Sequence, residues 1–429
     1  MSALETLAAL VPAQDAGQAA GLTSVCSAHP EVIAATLELG LETGEVVCIE
    51  ATCNQVNQDG GYTGMTPADF RNFVLGIAGQ VGFAESNILF GGDHLGPNPW
   101  KSRPAAEAMD KAEVLAAAYA AAGFGKIHLD ASMACADDPV PLPDEVMAER
   151  AARLARAAEA GAAEGGHPPP LYIVGTEVPV PGGALEEIDT LEVTSPDDAA
   201  RTLELHEAAF RAAGLDDAVG RIVAIVVQPG VEFGHANVVP FVPAEARALV
   251  DWRRGQGGVL FEAHSTDYQT PEALAALVDG GFAILKVGPG LTFALREALY
   301  GLDAIAGHLS EDYRPGTLPD AMETLMLSVP DHWLAYYHGG LTELRLQRHF
   351  SYSDRIRYYW TRPEATAAVE ALMAALEGVE IPETLISQYL PRLYDDVAAD
   401  RLDARARPLL RASVKVALAG YAAACERES

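Results

Sequence analysis

Phe90-Gly91-Gly92-Asp93-His94-Leu95-Gly96-Pro97 sets a carboxylate and an imidazole side by side where the apolar run Asn87–Phe90 passes into a loop. The C-terminal ends of strands are where parallel α/β folds gather their reactive side chains. Seven further short apolar runs lie outward from this one: Leu22–Cys26, Val46–Ala51, Lys126–Asp130, Leu171–Gly175, Arg221–Val227, Gly258–Ala263 and Ala283–Val287. Alanine-rich helical patterns such as Pro104–Ala122 and Asp144–Gly161 fill most of the gaps. Eight strands alternating with helices predict an α/β chain folded as a (β/α)8 barrel.

Glycines 40, 82, 123, 161, 214 and 281 stand at or just past the ends of the helical patterns, where left-handed caps are expected. The Pro- and Gly-rich stretches Asp138–Pro143 and Gly165–Pro170 read as surface loops. After Val287 the strand pattern stops. The reading is therefore a barrel over residues 1–298 and a helical C-terminal extension over 299–429 that packs on it, with Pro363–Leu376 and Leu402–Ala424 its clearest helices. Within the extension, His349–Trp360 concentrates aromatic and cationic side chains. Either it reaches over the barrel mouth, with Tyr352 and Arg355 as candidate ligand contacts, or its rings dock the extension.

The chain has 429 residues, 49% of them hydrophobic and 21% charged, which suits a globular protein with a large core. Its net charge of −31 repels nucleic acid and anionic membranes, so neither is expected as a partner. A local cationic pocket can still hold an anion, because charges are screened over ~8–10 Å. The five cysteines show no C-x-x-C spacing, which indicates neither a disulfide framework nor a thiolate zinc site and fits a reducing compartment. Met1–Gln18 carries two acids and no basic residue, and no run is long enough to span a bilayer. A cytoplasmic location is expected.

Polar residues recur at the predicted strand ends. Beyond Asp93 and His94 come Asp130 and Ser132 after the fourth strand, Glu177 after the fifth, His235 after the sixth, and His264, Ser265 and Asp267 after the seventh. His94, His235 and His264 with Glu177 form a nitrogen and oxygen donor set suited to a divalent ion, zinc first, with Mn, Co, Ni or Mg as alternatives. His128 alternates inward along its strand but receives no role. Asn54 and Gln55, after the second strand, suit a hydroxyl-rich ligand. Lys286 and Gly288, at the eighth strand end before a helix, suit an anion held by exposed amides, although a simple tight turn explains them equally well.

Taken together, Gly91–Pro97, His128–Met133, Gly175–Pro179, Val231–His235 and Glu262–Tyr268 resemble the GatZ/KbaZ family of tagatose-bisphosphate aldolase subunits, from about Leu22 through Trp360. That family is in turn similar to the metal-dependent class II ketose-bisphosphate aldolases. The resemblance implies that Asp93 is the catalytic acid/base, that His94, His235 and His264 are metal ligands, and that Glu177 is the nearby carboxylate. It also matches Asp130 and Ser132 to an Asp-x-Ser of the neighbouring strand. One departure stands out: His264 is followed by Ser265-Thr266-Asp267-Tyr268 instead of a Gly- and Ser-rich phosphate loop, and Asp267 repels a phosphate. The implied activity is 4-epimerisation of a ketohexose or ketohexose phosphate by retro-aldol and aldol chemistry at C3–C4. An aldolase, or a non-catalytic partner of a class II aldolase catalytic subunit, are the alternatives, and a homo-oligomer is compatible with each.

Overall fold

Local chemistry starts and stops the helices. Thr66 accepts from the amide of Asp69, whose carboxylate accepts in return from the Thr66 amide, and Pro67 opens the first turn. Such a reciprocal cap satisfies donors that a helix start leaves free. At the other end of that helix Gly82 takes a left-handed conformation, with φ of 85°, which glycine adopts without a Cβ clash. Gly123, Gly214 and Gly281 also have positive φ. Gly40 and Gly161 correct the expectation: both lie inside helices, which end at Gly44 and Gly166 instead. A Cβ at Gly40 would strike Val47 and Phe83, and one at Gly161 would strike the Ala117 backbone, so these two permit close packing of a helix.

The computed structural model describes residues 1–176 and 191–426. Its helices are α1 (Ala3–Asp15), α2 (Pro30–Thr43), α3 (Pro67–Val81), α4 (Ala105–Ala121), α5 (Asp144–Gly165), α6 (Pro196–Ala212), α7 (Asp216–Val219), α8 (Arg247–Gln256), α9 (Pro271–Asp279), α10 (Pro289–Leu309), α11 (Thr317–Ser328), α12 (Leu341–Phe350), α13 (Pro363–Ala375), α14 (Glu383–Tyr389), α15 (Tyr394–Ala398) and α16 (Ala406–Cys425). Its strands are β1 (Leu22–Cys26), β2 (Val47–Thr52), β3 (Ile88–Leu95), β4 (Lys126–Leu129), β5 (Leu171–Val174), β6 (Ile222–Val227), β7 (Glu232–Phe233), β8 (Val238–Val239), β9 (Leu260–Ala263) and β10 (Ile284–Val287). The order β1-β2-β3-β4-β5-β6-β9-β10 closes a parallel barrel, and β7 and β8 form a separate antiparallel hairpin.

All eight predicted strands are barrel strands. Residues pointing outward, such as Ile49, Phe90, Ile127, Tyr172, Ile225, Phe261 and Leu285, join the helices in the main core. A second cluster fills the floor of the barrel: Leu22, Cys48, Leu89, Ile173, Leu260 and Ile284 pack with Ala3, Leu7 and Leu10 of α1, which closes that end. Helix α10 runs across position 298, and the last helix, α16, packs on α2, α9 and α10. Among the described residues no helix is long and apolar enough to cross a membrane.

Candidate active site at the barrel mouth

Strand β3 runs five residues past its predicted end. Gly91 leaves room for the Glu50 side chain, Gly92 for Leu95 and Tyr119, and Gly96 for the main chain at Asp130, so no other residue type fits these positions without displacement. The ladder with β2 therefore continues until Thr52 faces Asp93. On the other side the register slips: Gly92 faces Ile127 but Leu95 faces Leu129, placing an extra residue in β3. His94 absorbs it with a φ of 48°. Successive strand residues normally point to opposite faces, and a bulge re-aims them. Here it lets neighbouring Asp93 and His94 both enter the same buried site.

His94 Nδ1 lies 2.8 Å from Asp130 Oδ2, and Asp130 is itself held by the hydroxyl and amide of Ser132 at 2.6 and 3.0 Å. His264 Nε2 lies 2.8 Å from Glu262 Oε1. Each imidazole thus has one nitrogen fixed by a carboxylate and the other available as a ligand, the usual support for a metal-binding histidine. His128 completes a triangle, with ring centroids 5.0 Å from His94 and 5.2 Å from His264. Its Nδ1 lies 3.0 Å from Asp93 Oδ1, whereas its buried Nε2 has no hydrogen-bond partner. Asp93, His94, His128 and His264 each offer a ligand atom within 4.8 Å of the others, and all four are buried. An orphaned nitrogen inside a carboxylate and imidazole set fits a divalent ion.

Burial works against ionisation of Asp93, but His94, Lys286 and His128 outweigh it and hold the carboxyl well below its ordinary range. Lys286 Nζ lies 2.9 Å from Asp93 Oδ1. The second oxygen, Oδ2, is less engaged, 3.6 Å from Cys26 Sγ and 3.8 Å from His94 Nε2. Burial lowers the His264 pKa to about 4, which keeps that ring neutral and able to donate a lone pair. Below the site, four fully paired ions fill the barrel. Lys126 bridges Glu50 at 2.5 Å and Glu262 at 2.6 Å, and Lys286 joins Glu50 to Asp93.

These groups open into a pocket at the barrel mouth. Of the residues anticipated from sequence, Asn54, Gln55, Ser265, Asp267, Lys286 and Gly288 line it along with Asp93, His94 and His264. Two of these have different work from that expected. Lys286 is engaged by Glu50 and Asp93, and the amides of Gly288 and Gly290 donate to Asp267 Oδ1 at 3.0 and 2.7 Å. The chain's own carboxylate therefore occupies the anion position at the start of α10. Asp130 and Ser132 stand behind His94 and do not line the pocket.

His235 is not brought into the histidine group. It follows β7, its Nδ1 lies 3.1 Å from Ser351 Oγ and its ring stands edge-on to Tyr337. Its carbonyl accepts from the Tyr352 amide at 2.9 Å. Tyr352 packs on Tyr268 and Phe293, while Arg355 stacks on Tyr336, 3.3 Å from the ring centroid. Both tie the extension down outside the pocket. Glu177 lies outside the described residues. The sequence reading missed Arg357 and Tyr358, which reach the pocket from the extension, and Tyr62, which meets Tyr358 edge-on at 5.0 Å. It also gave no role to His128, whose inward alternation with Asp130 was the available signal.

The fold and the site define a class: a (β/α)8 barrel whose mouth joins a buried carboxylate to a histidine cluster. The chain belongs to the family described as D-tagatose-1,6-bisphosphate aldolase subunit GatZ/KbaZ-like, whose pattern matches residues 7–426. It is 54% identical to the D-tagatose 6-phosphate 4-epimerase of Agrobacterium fabrum (strain C58 / ATCC 33970), covering 98% of each chain. It is 50% identical to the D-tagatose-1,6-bisphosphate aldolase subunit GatZ of Klebsiella pneumoniae subsp. pneumoniae, covering 98% of this chain and 99% of that one. A crystal structure described as a probable tagatose 6 phosphate kinase from Sinorhizobium meliloti 1021 superposes with a TM-score of 0.88 at 55% identity, over 94% of this chain and all of that one.

Proposed function

We propose that the chain is a divalent-metal-dependent, cytoplasmic 4-epimerase that interconverts tagatose- and fructose-configured 6-phosphates by cleaving and remaking the C3–C4 bond. The observation that carries this reading is Asp93, a buried carboxylate held ionised, which lines the pocket with His94 and His264 and stands beside His128, its Oδ2 hydrogen-bonded only by the weak Cys26 thiol contact among the described residues. The name of the Agrobacterium relative agrees with it.

His94, His128 and His264 would hold the ion, with His128 at the position that the sequence reading gave to His235. A zinc or similar ion there supplies Lewis-acid polarisation of the ketose carbonyl. Asp93 Oδ2 accepts the C4 hydroxyl proton as the C3–C4 bond breaks, leaving an enediolate and an aldehyde. Lys286 and the His128 ring keep the carboxylate fixed through Oδ1, so its proton-accepting oxygen stays aimed into the pocket. Asn54 and Gln55 lie at the same mouth and bind hydroxyls. When the aldehyde turns over before re-addition, Asp93 returns the proton to the new C4 oxygen and the configuration is inverted.

The test uses the purified full chain alone with D-tagatose 6-phosphate and a divalent ion, following fructose 6-phosphate by chromatography. Conversion is expected, removed by a chelator and reduced by roughly 10²- to 10⁴-fold in Asp93→Asn with the circular dichroism unchanged. No conversion with any divalent ion would sink the reading. If sugar bisphosphate cleavage then rises when an aldolase catalytic chain is added, a supporting role takes its place, in line with the name of the Klebsiella relative, an aldolase subunit.

A further inference from the structure

We propose that Arg357, carried to the barrel mouth by the C-terminal extension, is the residue that binds the substrate's phosphate. This rests on the reading of the pocket as a ketose phosphate site. Among the described residues two cations line that pocket, Lys286 and Arg357. Lys286 is already matched to Glu50 and Asp93. The usual barrel alternative, the amides before α10, is filled by Asp267. Among the described residues Arg357 forms no ion pair, although Asp267 and Asp354 lie within its electrostatic reach.

Neutral acceptors hold its guanidinium in place. Nη1 donates to the carbonyls of Ser353 and Asp354, the latter at 3.1 Å, and Nη2 donates to the Tyr358 hydroxyl at 2.8 Å. Among the described residues it forms no ion pair. The nearest acid in sequence, Asp354, turns its carboxylate instead to Thr292 Oγ1 at 2.5 Å. Asp354 also begins the turn in a left-handed conformation, with φ of 45°, which swings Arg357 toward the barrel while Arg355 faces Tyr336. The strap is anchored on three sides: the Tyr352 amide donates to His235, the Tyr352 carbonyl accepts from Tyr268 at 2.7 Å, and Tyr62 braces Tyr358.

A half-buried guanidinium that is oriented by neutral acceptors and, among the described residues, not ion-paired, in a chain of net charge −31, is a prepared anion site. It sits at the mouth, whereas Asp93 and the histidines are buried beneath it. A ketose phosphate spans that arrangement with its reacting carbons at Asp93 and its phosphate at Arg357. An aldehyde fragment held by its phosphate can turn at C4 without leaving the pocket, which is what separates an epimerase from an aldolase.

Calorimetric titration of the metal-loaded full chain with fructose 6-phosphate and, separately, fructose tests the assignment, alongside Arg357→Gln and Arg357→Lys. Loss of one charge-assisted contact predicts a 10- to 100-fold weaker affinity for fructose 6-phosphate in Arg357→Gln, partial recovery in Arg357→Lys, and unchanged affinity for fructose. In turnover the same loss falls on KM more than on kcat. Affinity for the phosphate within twofold of the parent, an equal loss for both sugars, or no binding of fructose 6-phosphate by the parent chain would overturn the assignment. If Arg357→Gln does not fold, judged by circular dichroism, Arg357→Lys carries the comparison: undiminished binding of both sugars overturns it, and a selective loss for the phosphate supports it. Binding that depends on Arg357 in a chain that epimerises nothing would leave the assignment standing and remove the proposed reaction.

Discussion

Two ionic ladders run through this molecule, one inside the barrel and one on its outer wall. The inner one joins Glu50, Lys126, Glu262 and Lys286, all essentially closed to solvent. The outer one joins Glu31, Glu38 and Glu42 of α2 to Arg407, Arg411 and Lys415 of α16, with side chains 13% to 56% exposed. The inner distances resemble the outer ones, yet the energetic meaning is opposite. Burying four ions costs several kcal/mol each before pairing, and apolar residues of similar volume commonly give a more stable core. The floor of this same barrel is built that way, from Leu22, Leu89, Leu260 and their neighbours. The inner ladder therefore earns its place through what it touches: Glu262 orients His264, and Lys286 holds Asp93.

The sharpest way to break the comparison is Lys126→Met. It strands Glu262 and half of Glu50 in a dry interior, and removing one partner of a buried pair costs about 3–5 kcal/mol. Urea unfolding at neutral pH reads that loss directly. A change below about 1 kcal/mol would mean that water or rearrangement rescues the acids, and the ladder would not be a unit. Turnover should fall as well, because Glu262 without Lys126 no longer holds His264 in one orientation.

Glu232 sharpens the same point, being a buried acid that pairs with no cation among the described residues. It is 6% exposed, its carboxylate accepts from the Phe233 amide, and burial raises its pKa from 4.5 to about 7. The folded chain thus holds this proton more tightly than the unfolded chain does. The favourable contribution is present below pH 4.5 and is lost as pH rises through about 7, a total of about 3 kcal/mol. Glu232→Gln removes the titration while keeping an acceptor for Phe233. Relative to this variant the parent should lose stability between pH 5 and pH 8 in chemical denaturation, and a gap independent of pH would show that the carboxylate is solvated in the folded state.

The barrel was legible in the sequence because its strands are short apolar runs closed by polar or glycine residues, and all eight fall where those runs do. The site was legible as a set of strand ends, and less so in detail. Simple alternation cannot foresee the extra residue between Gly92 and Leu95, so Asp93 and His94 read as loop residues and His128 was passed over in favour of His235. Lys286 and Gly288 read equally well as an anion site or a tight turn because the groups that occupy them are nonlocal: Asp267 stands 21 residues before Gly288, and Glu50 is 236 residues from Lys286. The aromatic segment was read either as a cover for the mouth or as a docking element, and it does both: Arg357 and Tyr358 line the pocket, while Tyr352 and Arg355 pack outside it. Which arginine points inward depends on one positive φ at Asp354, which favours no particular pattern of side chains.

The outer ladder supplies the smallest effect and the control for the rest. Arg411 Nε reaches Glu31 at 2.7 Å and its Nη1 reaches Glu38 at 2.5 Å, so Arg411→Met removes two contacts that hold the last helix against α2. Exposed pairs contribute about 0.2–1 kcal/mol and are screened by salt, and the apolar contacts of Leu409, Leu410, Val414 and Leu418 remain in the core. The expected loss is therefore at most about 1 kcal/mol at low ionic strength, shrinking toward zero in 0.5 M salt, a concentration at which the Debye length falls to roughly 4–5 Å. The loss in Lys126→Met should survive the same salt almost unchanged, because no counter-ion enters the barrel. If both losses faded together, water would have to reach the inner ladder, and the physical distinction between the two would be gone.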